Sequence, residues 1–231
     1  IICIIIINFL KYWRERYKML RIAVIGASGF TGVELVKLLK KHPMQEKMDL
    51  YSFSKAGKKI KDFSDQLIDC EDILKDFSKI VYDDYDLVFF ACPNGTAMNE
   101  YSDLNKSNVR MIDLAADYRL DDDKIWEEYY KIKHKSPEIL SKTTYGLTEI
   151  NRSKIKDAKI VANPGCYPTA AILSLYPLLK NNLIKEDKII IDAKSGYSGA
   201  GREKIESGLS EKIKDNFIPY NFYNHRHFPE I

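Results

Sequence analysis

A short apolar strand that runs directly into a glycine-rich turn constrains the fold of this chain more than any other feature. The strand, Leu20–Ile25, reads LRIAVI, the turn at 26–32 reads GASGFTG, and apolar residues recur at helical spacing over 33–39. A continuous apolar strand is typical of a parallel sheet with both faces covered, and a helix that follows at once completes the first half of a βαβ unit. The pattern therefore predicts an α/β fold.

The same alternation of strand and helix continues along the chain. Apolar strands are predicted at 48–53, 86–92, 109–114, 160–162 and 188–193, with helices at 97–104 and 169–179. Strands separated by helices at this spacing favour an open, doubly wound parallel sheet of the Rossmann type. Ligands of such a sheet bind at the carboxyl ends of its strands.

The glycine turn has the composition of a dinucleotide-binding turn. Glycines allow the backbone to approach a pyrophosphate, and the amides and dipole of the following helix N-terminus favour its charge. We therefore predict cofactor contacts for the turn residues, which are Gly26, Ser28, Gly29, Phe30, Thr31 and Gly32. A purely structural glycine turn is the alternative.

The end of the second strand indicates which dinucleotide to expect. An acidic residue there would bind the ribose 2′-hydroxyl of NAD. The strand runs instead into Ser54 and Lys55, with further lysines at 58 and 59. Hydroxyl and cationic groups suit a 2′-phosphate, so NADP is the predicted cofactor, and an ordinary solvated lysine loop is the alternative. Asn94 and Gly95, after the strand at 86–92, are also expected to face the cofactor.

A single cysteine on a tight turn is the candidate reactive group. Residues 163–169 read NPGCYPT, which places Cys166 between an apolar strand and an apolar helix. The positive end of a helix dipole stabilises a negative sulfur, so this position favours a reactive thiolate. Taken alone, a lone cysteine is more often a small buried hydrophobe.

Three further groups of polar residues suit a small anionic ligand or proton transfer. The loop at 195–202 reads SGYSGAGR, and its amides, hydroxyls and Arg202 can line an anion. Arg119 also matches phosphate or carboxylate, although either arginine can instead be an ordinary ion-pair partner. His225 and His227 stand two apart with no third ligand cluster, which favours acid–base work or ligand binding over a metal site.

Bulk composition argues against several classes of protein. A formal net charge of +3, with lysines interspersed among acidic residues, argues against a nucleic-acid partner. Four widely spaced cysteines favour a reducing compartment, so we expect a cytoplasmic protein. The apolar run at 1–10 is too short to cross a bilayer, so no membrane partner is expected, and a real interfacial helix is the alternative for this segment. Met19 is the expected native start, which leaves 1–18 as upstream or non-native sequence.

Six motifs, taken together, resemble those of one enzyme family. In chain order they are GASGFTG, IDLAADYRL, YGLTEI, NPGCYPTA, SGYSGAGR and HRHFPEI. The set resembles the N-acetyl-γ-glutamyl-phosphate reductases, NADPH-dependent enzymes of arginine biosynthesis. The resemblance implies a Rossmann domain at 19–164 and an α+β catalytic and dimerisation domain at 165–231. We expect the second domain to be incomplete, because family members continue well beyond HRHFPEI, and the full-length protein to be a homo-oligomer.

The resemblance also implies roles for individual residues. Cys166 is similar to the family nucleophile, which attacks an acyl phosphate and releases inorganic phosphate, and His225 resembles the general acid–base. The thioester that remains on the cysteine then accepts hydride from the nicotinamide. Substrate contacts are expected for Arg119, Ser195, Arg202, Tyr220 and His227, and cofactor contacts for Ser198 and Gly199.

Three other functions remain open. An aspartate-semialdehyde dehydrogenase, or a lysine-pathway relative that acts on a carrier-linked aminoadipyl phosphate, would use the same cysteine chemistry. A short-chain dehydrogenase would need a Tyr-x-x-x-Lys pair, which Tyr129 with Lys133 and Tyr51 with Lys55 match in spacing alone. A non-catalytic NADP-binding remnant is the third.

Overall fold

A parallel sheet forms the frame of the N-terminal part of the chain. The computed structural model describes residues 19–221 and 223–231, which divide into two units after Pro164. The described strands of the first unit are, in chain order, β1 (Leu20–Ile25), β2 (Gln45–Ser52), β3 (Lys75–Asp76), β4 (Leu87–Phe90), β5 (Arg110–Asp113), β6 (Thr144–Tyr145) and β7 (Ile160–Ala162). Their spatial order is β3-β2-β1-β4-β5-β7-β6, and every pairing is parallel.

Helices connect β1 to β2 and β4 to β5 where the sequence predicts them, and two further helices, not predicted, lie between β5 and β7. The first unit contains α1 (Phe30–Leu39), α2 (Thr96–Lys106), α3 (Asp123–Tyr130) and α4 (Thr148–Asp157). The sheet grows from β1 toward β2 in one direction and toward β4 in the other, so the order of strands reverses between β1 and β4. This is the topological switch point of a doubly wound sheet, and the predicted fold class is confirmed.

The alternation of side chains along β1 places an apolar layer on each face of the sheet. Ile22 and Val24 pack in one buried cluster, while Ala23 and Ile25 pack in the other. All four side chains are fully buried. Burial on both faces explains why the strand is continuously apolar rather than alternating with polar residues.

The second unit begins with a long helix, and its described residues form no strand. Its helix α5 (Cys166–Lys180) is followed by an irregular segment, a 3₁₀ turn at Tyr197–Ala200 and short helical turns over 202–212. A last 3₁₀ turn covers Phe228–Glu230. Across the described residues, no helix combines the length and apolar character that a bilayer crossing requires.

The strand predicted at 188–193 is wrong. These residues carry no strand, and the side chain of Ile190 is 94% exposed. A β-strand is stabilised by the ladder it forms with a neighbour, and the described residues include no strand paired with this segment. Apolar composition alone therefore did not suffice to predict a strand here.

A carboxylate from a distant loop caps helix α2. Asp117 accepts hydrogen bonds from the Gly95 amide at 2.7 Å and from the Met98 amide at 3.0 Å. Gly95 is the N-cap residue and has a left-handed backbone with φ of 96°. Asp117 is fully buried and satisfies amides that the helix itself leaves without partners.

Removing this cap should destabilise the first unit. We expect Asp117→Ala to lower the free energy of unfolding by about 2–4 kcal/mol, because two buried amides lose their carboxyl acceptor. The matched control is Asp103→Ala, which removes an exposed ion pair with Lys106 on the same helix and should cost about 0.5 kcal/mol or less. Urea unfolding followed by circular dichroism measures both, and equal losses would contradict the capping role.

Candidate active site

The glycine turn between β1 and α1 is held tightly against the neighbouring strands. Gly26 has a φ of 82°, and a Cβ atom at this position would lie 2.3 Å from the carbonyl oxygen of Ala91. The amides of Gly26 and Ala27 donate to the carbonyl of Tyr51 at 2.9 and 3.1 Å. A Cβ at Gly32 would lie 2.3 Å from the Gly26 carbonyl oxygen. Glycine is therefore required at both positions for the turn to close.

The start of helix α1 leaves room for an anion. Gly29 is the N-cap residue, and a Cβ placed on it would meet only the Gly26 carbonyl oxygen, at 3.5 Å. Phe30 and Thr31 lie in the first turn, which contains no acidic side chain. Room beside Gly29 at the helix N-terminus, with no competing carboxylate in the first turn, is compatible with the pyrophosphate of a dinucleotide.

The end of β2 lies beside this turn. The hydroxyl oxygens of Ser28 and Ser52 are 3.2 Å apart, and the Lys55 amide donates to the Ser52 hydroxyl at 3.2 Å. Ser52 is buried, whereas Ser54 and Lys55 are exposed in the loop that follows. Ser52 was missed by the sequence analysis, and its place as the last residue of an apolar strand was the available signal.

A buried carboxylate organises the loop after β5. Asp113 accepts hydrogen bonds from the amides of Ala115 and Asp117 at 3.0 and 3.1 Å. Complete burial raises the pKa of Asp113, and the charge of nearby Asp117 acts in the same direction. The Asn94 side-chain oxygen accepts the amide of Ala116 at 3.2 Å, so Asn94 and Gly95 both contact this loop.

Arg119 extends from the same loop to the segment that follows β7. Its Nε donates to the carbonyl of Asn163 at 2.8 Å, and its Nη2 donates to the carbonyl of Leu114 at 3.0 Å. The side chain is half-buried. The guanidinium therefore helps to fix the backbone of Asn163, three residues before Cys166 in the sequence, and its predicted substrate contact stays a prediction.

Cys166 is the first residue of helix α5, directly after the N-cap residue Gly165. It is the exposed cysteine among the three that the structure describes. Cys70 is buried and donates its S–H to Asp72 at 2.8 Å, while Cys92 donates to the carbonyl of Ile25 at 3.3 Å. Burial raises the pKa of both of these thiols. Accessibility and the helix N-terminus together single out Cys166 as the candidate nucleophile.

Aromatic and histidine side chains gather beside the cysteine turn. The ring of Tyr167 lies 5.3 Å from that of His225 and 5.7 Å from that of His227, centroid to centroid. The Tyr167 hydroxyl donates to Ser195 at 2.9 Å and accepts from the Tyr220 hydroxyl at 3.0 Å. The structure thus brings four predicted site residues around Tyr167, a residue that the sequence analysis did not single out although it adjoins Cys166.

The ring of His225 is oriented by two contacts. Its Nδ1 accepts the amide of His227 at 3.1 Å, which places the proton of the neutral ring on Nε2. Nε2 lies 3.4 Å from the Tyr220 hydroxyl. Partial burial lowers the pKa of His225, and the charge of Arg226 acts in the same direction. The imidazole is therefore mostly neutral at neutral pH.

The remaining predicted residues lie in the turns after Ser195. Ser198 and Gly199 belong to the exposed 3₁₀ turn Tyr197–Ala200. Arg202 is half-buried, with its Nη1 3.9 Å from a carboxylate oxygen of Glu206. Within the described part of the chain, no group of three or more histidine, cysteine, aspartate or glutamate side chains is arranged to hold a metal ion.

Family models and relatives match nearly the whole described chain. Residues 21–158 match the NAD binding domain of semialdehyde dehydrogenase, and residues 166–231 match the dimerisation domain of the same family. The N-acetyl-gamma-glutamyl-phosphate reductase of Acinetobacter baylyi is 45% identical over 216 residues, or 92% of this chain. The same-named protein of Nitrosomonas eutropha is 42% identical over 219 residues. The chain spans 62% and 63% of the lengths of these two relatives.

Solved structures of similar fold include aspartate-semialdehyde dehydrogenases. The Vibrio cholerae enzyme II superposes with a TM-score of 0.61 at 15% identity, covering 90% of this chain and 57% of the other. The Candida albicans enzyme with NADP superposes with a TM-score of 0.54 at 19% identity, covering 89% and 57%. Because the family models cover both units and the NAD-binding match alone spans more than half of the sequence, the chain belongs to the semialdehyde dehydrogenase family.

Proposed function

We propose that this chain carries the catalytic residues of an N-acetyl-γ-glutamyl-phosphate reductase. The reaction is the NADPH-dependent reduction of N-acetylglutamyl 5-phosphate to N-acetylglutamate 5-semialdehyde and inorganic phosphate. The observation that carries the proposal is the exposed Cys166 at the N-terminus of α5, directly before Tyr167, whose ring lies near those of His225 and His227. The names of the two relatives support the choice of substrate.

The first step is transfer of the acyl group to the cysteine. The Cys166 thiol gives up its proton, its thiolate attacks the acyl carbon, the bond from that carbon to the phosphate oxygen breaks, and phosphate leaves with the electron pair. A thioester remains on Cys166. Amides at the start of α5 can stabilise the oxyanion that forms during the attack. An exposed reactive thiol also favours a reducing compartment, so we place this reaction in the cytoplasm.

The second step is reduction of the thioester. When bound, the dinucleotide supplies the hydride that the acyl carbon accepts. His225 donates a proton to the resulting oxyanion and takes it back as the carbonyl re-forms. The carbon–sulfur bond then breaks with its electron pair going to sulfur, so the semialdehyde leaves and the Cys166 thiolate is restored. Arg119, Ser195, Arg202, Tyr220 and His227 remain proposed substrate contacts. The match to a dimerisation domain supports a homo-oligomeric enzyme.

A direct spectrophotometric assay tests this function in the reverse, oxidative direction. Purified chain is mixed with N-acetylglutamate semialdehyde, NADP⁺ and phosphate, and NADPH is followed by absorbance, with the Acinetobacter baylyi relative as the positive control. Turnover that requires phosphate supports the proposal. Aspartate semialdehyde run beside it tests the related dehydrogenase. NADP binding without turnover of either aldehyde would point to a binding remnant and contradict the proposal.

The preference for NADP over NAD is a separate part of the proposal. Lys55 follows β2, whose last residue contacts the glycine turn through Ser28, and it is exposed. We expect Lys55→Ala to raise the KM for NADP by roughly tenfold and to leave the KM for NAD unchanged, because only NADP carries the 2′-phosphate. Lys154→Ala, an exposed lysine of α4, is the control. An equal effect on both cofactors would remove the role of Lys55.

A further inference from the structure

The last residues of the chain are tied to the cysteine turn by a carboxylate. The Oε1 atom of Glu230 accepts a hydrogen bond from the Gly165 amide at 2.7 Å. Gly165 is the buried N-cap residue of α5, and its carbonyl already accepts both the amide and the hydroxyl of Thr169, at 3.0 and 2.7 Å. The hydrogen bond to Glu230 thus satisfies the amide of Gly165, the residue immediately before Cys166.

The segment that carries Glu230 also carries the two histidines, and it is folded on itself. The Phe228 amide donates to the His225 carbonyl at 2.9 Å, and the Glu230 amide donates to the His227 carbonyl at 3.2 Å. These two turns, with the His227 amide on the His225 ring, make 225–230 a compact unit. A shift at Glu230 is therefore passed on to both imidazoles.

Two of the described contacts join the cysteine turn directly to the histidine segment, beside the indirect link through the Tyr220 hydroxyl. One is the packing of the Tyr167 ring against the rings of His225 and His227. The other is the hydrogen bond from Gly165 to Glu230. Ring packing permits sliding, since its energy varies slowly with position, whereas a charge-assisted hydrogen bond at this length is short-ranged and directional. Of these two direct contacts, the carboxylate contact is therefore the directional one.

We propose that Glu230 is a positioning residue that holds His225 in register with Cys166 by accepting the Gly165 amide. This role rests on the proposed function, since it assigns His225 and Cys166 to the same reaction. Its chemistry is that of a hydrogen-bond acceptor, so a neutral amide oxygen can replace the carboxylate in part. The negative charge of Glu230 is also compatible with the positive end of the α5 dipole.

Hydrogen–deuterium exchange tests the contact without requiring activity. A peptide loses its label at its first two residues, and Pro164 and Pro168 have no amide hydrogen, so a peptide covering 162–168 reports only the amides of Gly165, Cys166 and Tyr167. We expect Glu230→Ala to speed exchange in this peptide by about tenfold or more, and Glu230→Gln by about threefold or less. Glu186→Ala, an exposed glutamate after α5, should leave exchange unchanged. Wild-type exchange in Glu230→Ala would overturn the proposal.

Turnover tests the consequence for catalysis. In the phosphate-dependent assay, Glu230→Ala should lose at least about tenfold in kcat with a smaller change in KM, because misplaced acid–base groups act on the chemical step. Glu230→Gln should recover most of that loss. A loss in Glu230→Gln as large as in Glu230→Ala, or full activity in Glu230→Ala, would overturn the positioning role. An inactive unsubstituted chain would instead count against the proposed function, and exchange would still decide the contact.

Discussion

Replacing Cys166 with serine is expected to abolish phosphate-dependent turnover, with a loss of at least about 10³-fold in kcat. Serine keeps the size and position of the side chain, but its hydroxyl is far less acidic than a thiol and a much weaker nucleophile. The position is exposed at the first residue of α5, so the substitution should change the free energy of unfolding by about 0.5 kcal/mol or less. Steady-state rates and urea unfolding of the same preparation separate loss of chemistry from loss of fold.

A matched control is another cysteine of this chain. Cys70 is buried in the core of the first unit and donates its S–H to Asp72, a contact that a serine hydroxyl can also make. Cys70→Ser should keep its turnover within about threefold of the unsubstituted chain, with a modest cost in stability. Enzyme mixed with aldehyde and NADP⁺ in the absence of phosphate should carry an acyl group on Cys166, detectable by peptide mass. Full activity of Cys166→Ser, or an acyl group on another residue, would contradict the mechanism.

The frame of the fold was predictable because its signals are local. The strand β1, its glycine turn and helix α1 lie within twenty residues, and the apolar continuity of LRIAVI reports burial on both faces of the sheet. The very short strands β3 and β6 were not predicted, since two residues carry no periodicity and form a strand only through their neighbours. The prediction of a strand at 188–193 failed for the opposite reason. Its apolar composition predicted a strand, but none of the described residues pairs with this segment in a ladder.

The candidate site was likewise predictable where its signals are local and unpredictable where it depends on long-range contacts. The sequence indicated Cys166 and His225 because their motifs combine reactive side chains with turn residues. It gave no sign that Asp117 caps a helix 22 residues earlier, or that Glu230 accepts the amide of Gly165, 65 residues away. Such contacts depend on how distant turns pack, and the hydrophobic periodicity of a sequence does not predict them. For Glu230, membership in the HRHFPEI motif was the available signal.

Replacing His225 with alanine is expected to slow turnover by about 10²- to 10⁴-fold, the usual contribution of a positioned acid–base group. The loss should fall on kcat, with binding of cofactor preserved, because His225 acts on the oxygen of the substrate. Steady-state kinetics over a range of aldehyde concentrations, with NADP binding measured separately by fluorescence, provide the comparison. Retention of more than about a tenth of the rate would exclude His225 as the principal acid–base group.

The pH dependence supplies a sharper test of His225. In the oxidative direction the ring must take up the hydroxyl proton of the hemithioacetal on Cys166, which it does on Nδ1 as that atom releases the His227 amide, so the ring must be neutral beforehand. Partial burial lowers the pKa of His225 from its ordinary value near 6.5, so the rate should hold above about pH 6.5 and fall below it as the ring becomes protonated. Burial also lowers the pKa of His42, which makes His42→Ala the matched control. The fall in rate at low pH should be absent from the residual rate of His225→Ala and should persist in His42→Ala. Titration of the substrate phosphate affects both variants equally, so it does not alter the comparison. If the rate of His225→Ala still falls at low pH, the fall is due to another group, and this assignment is refuted.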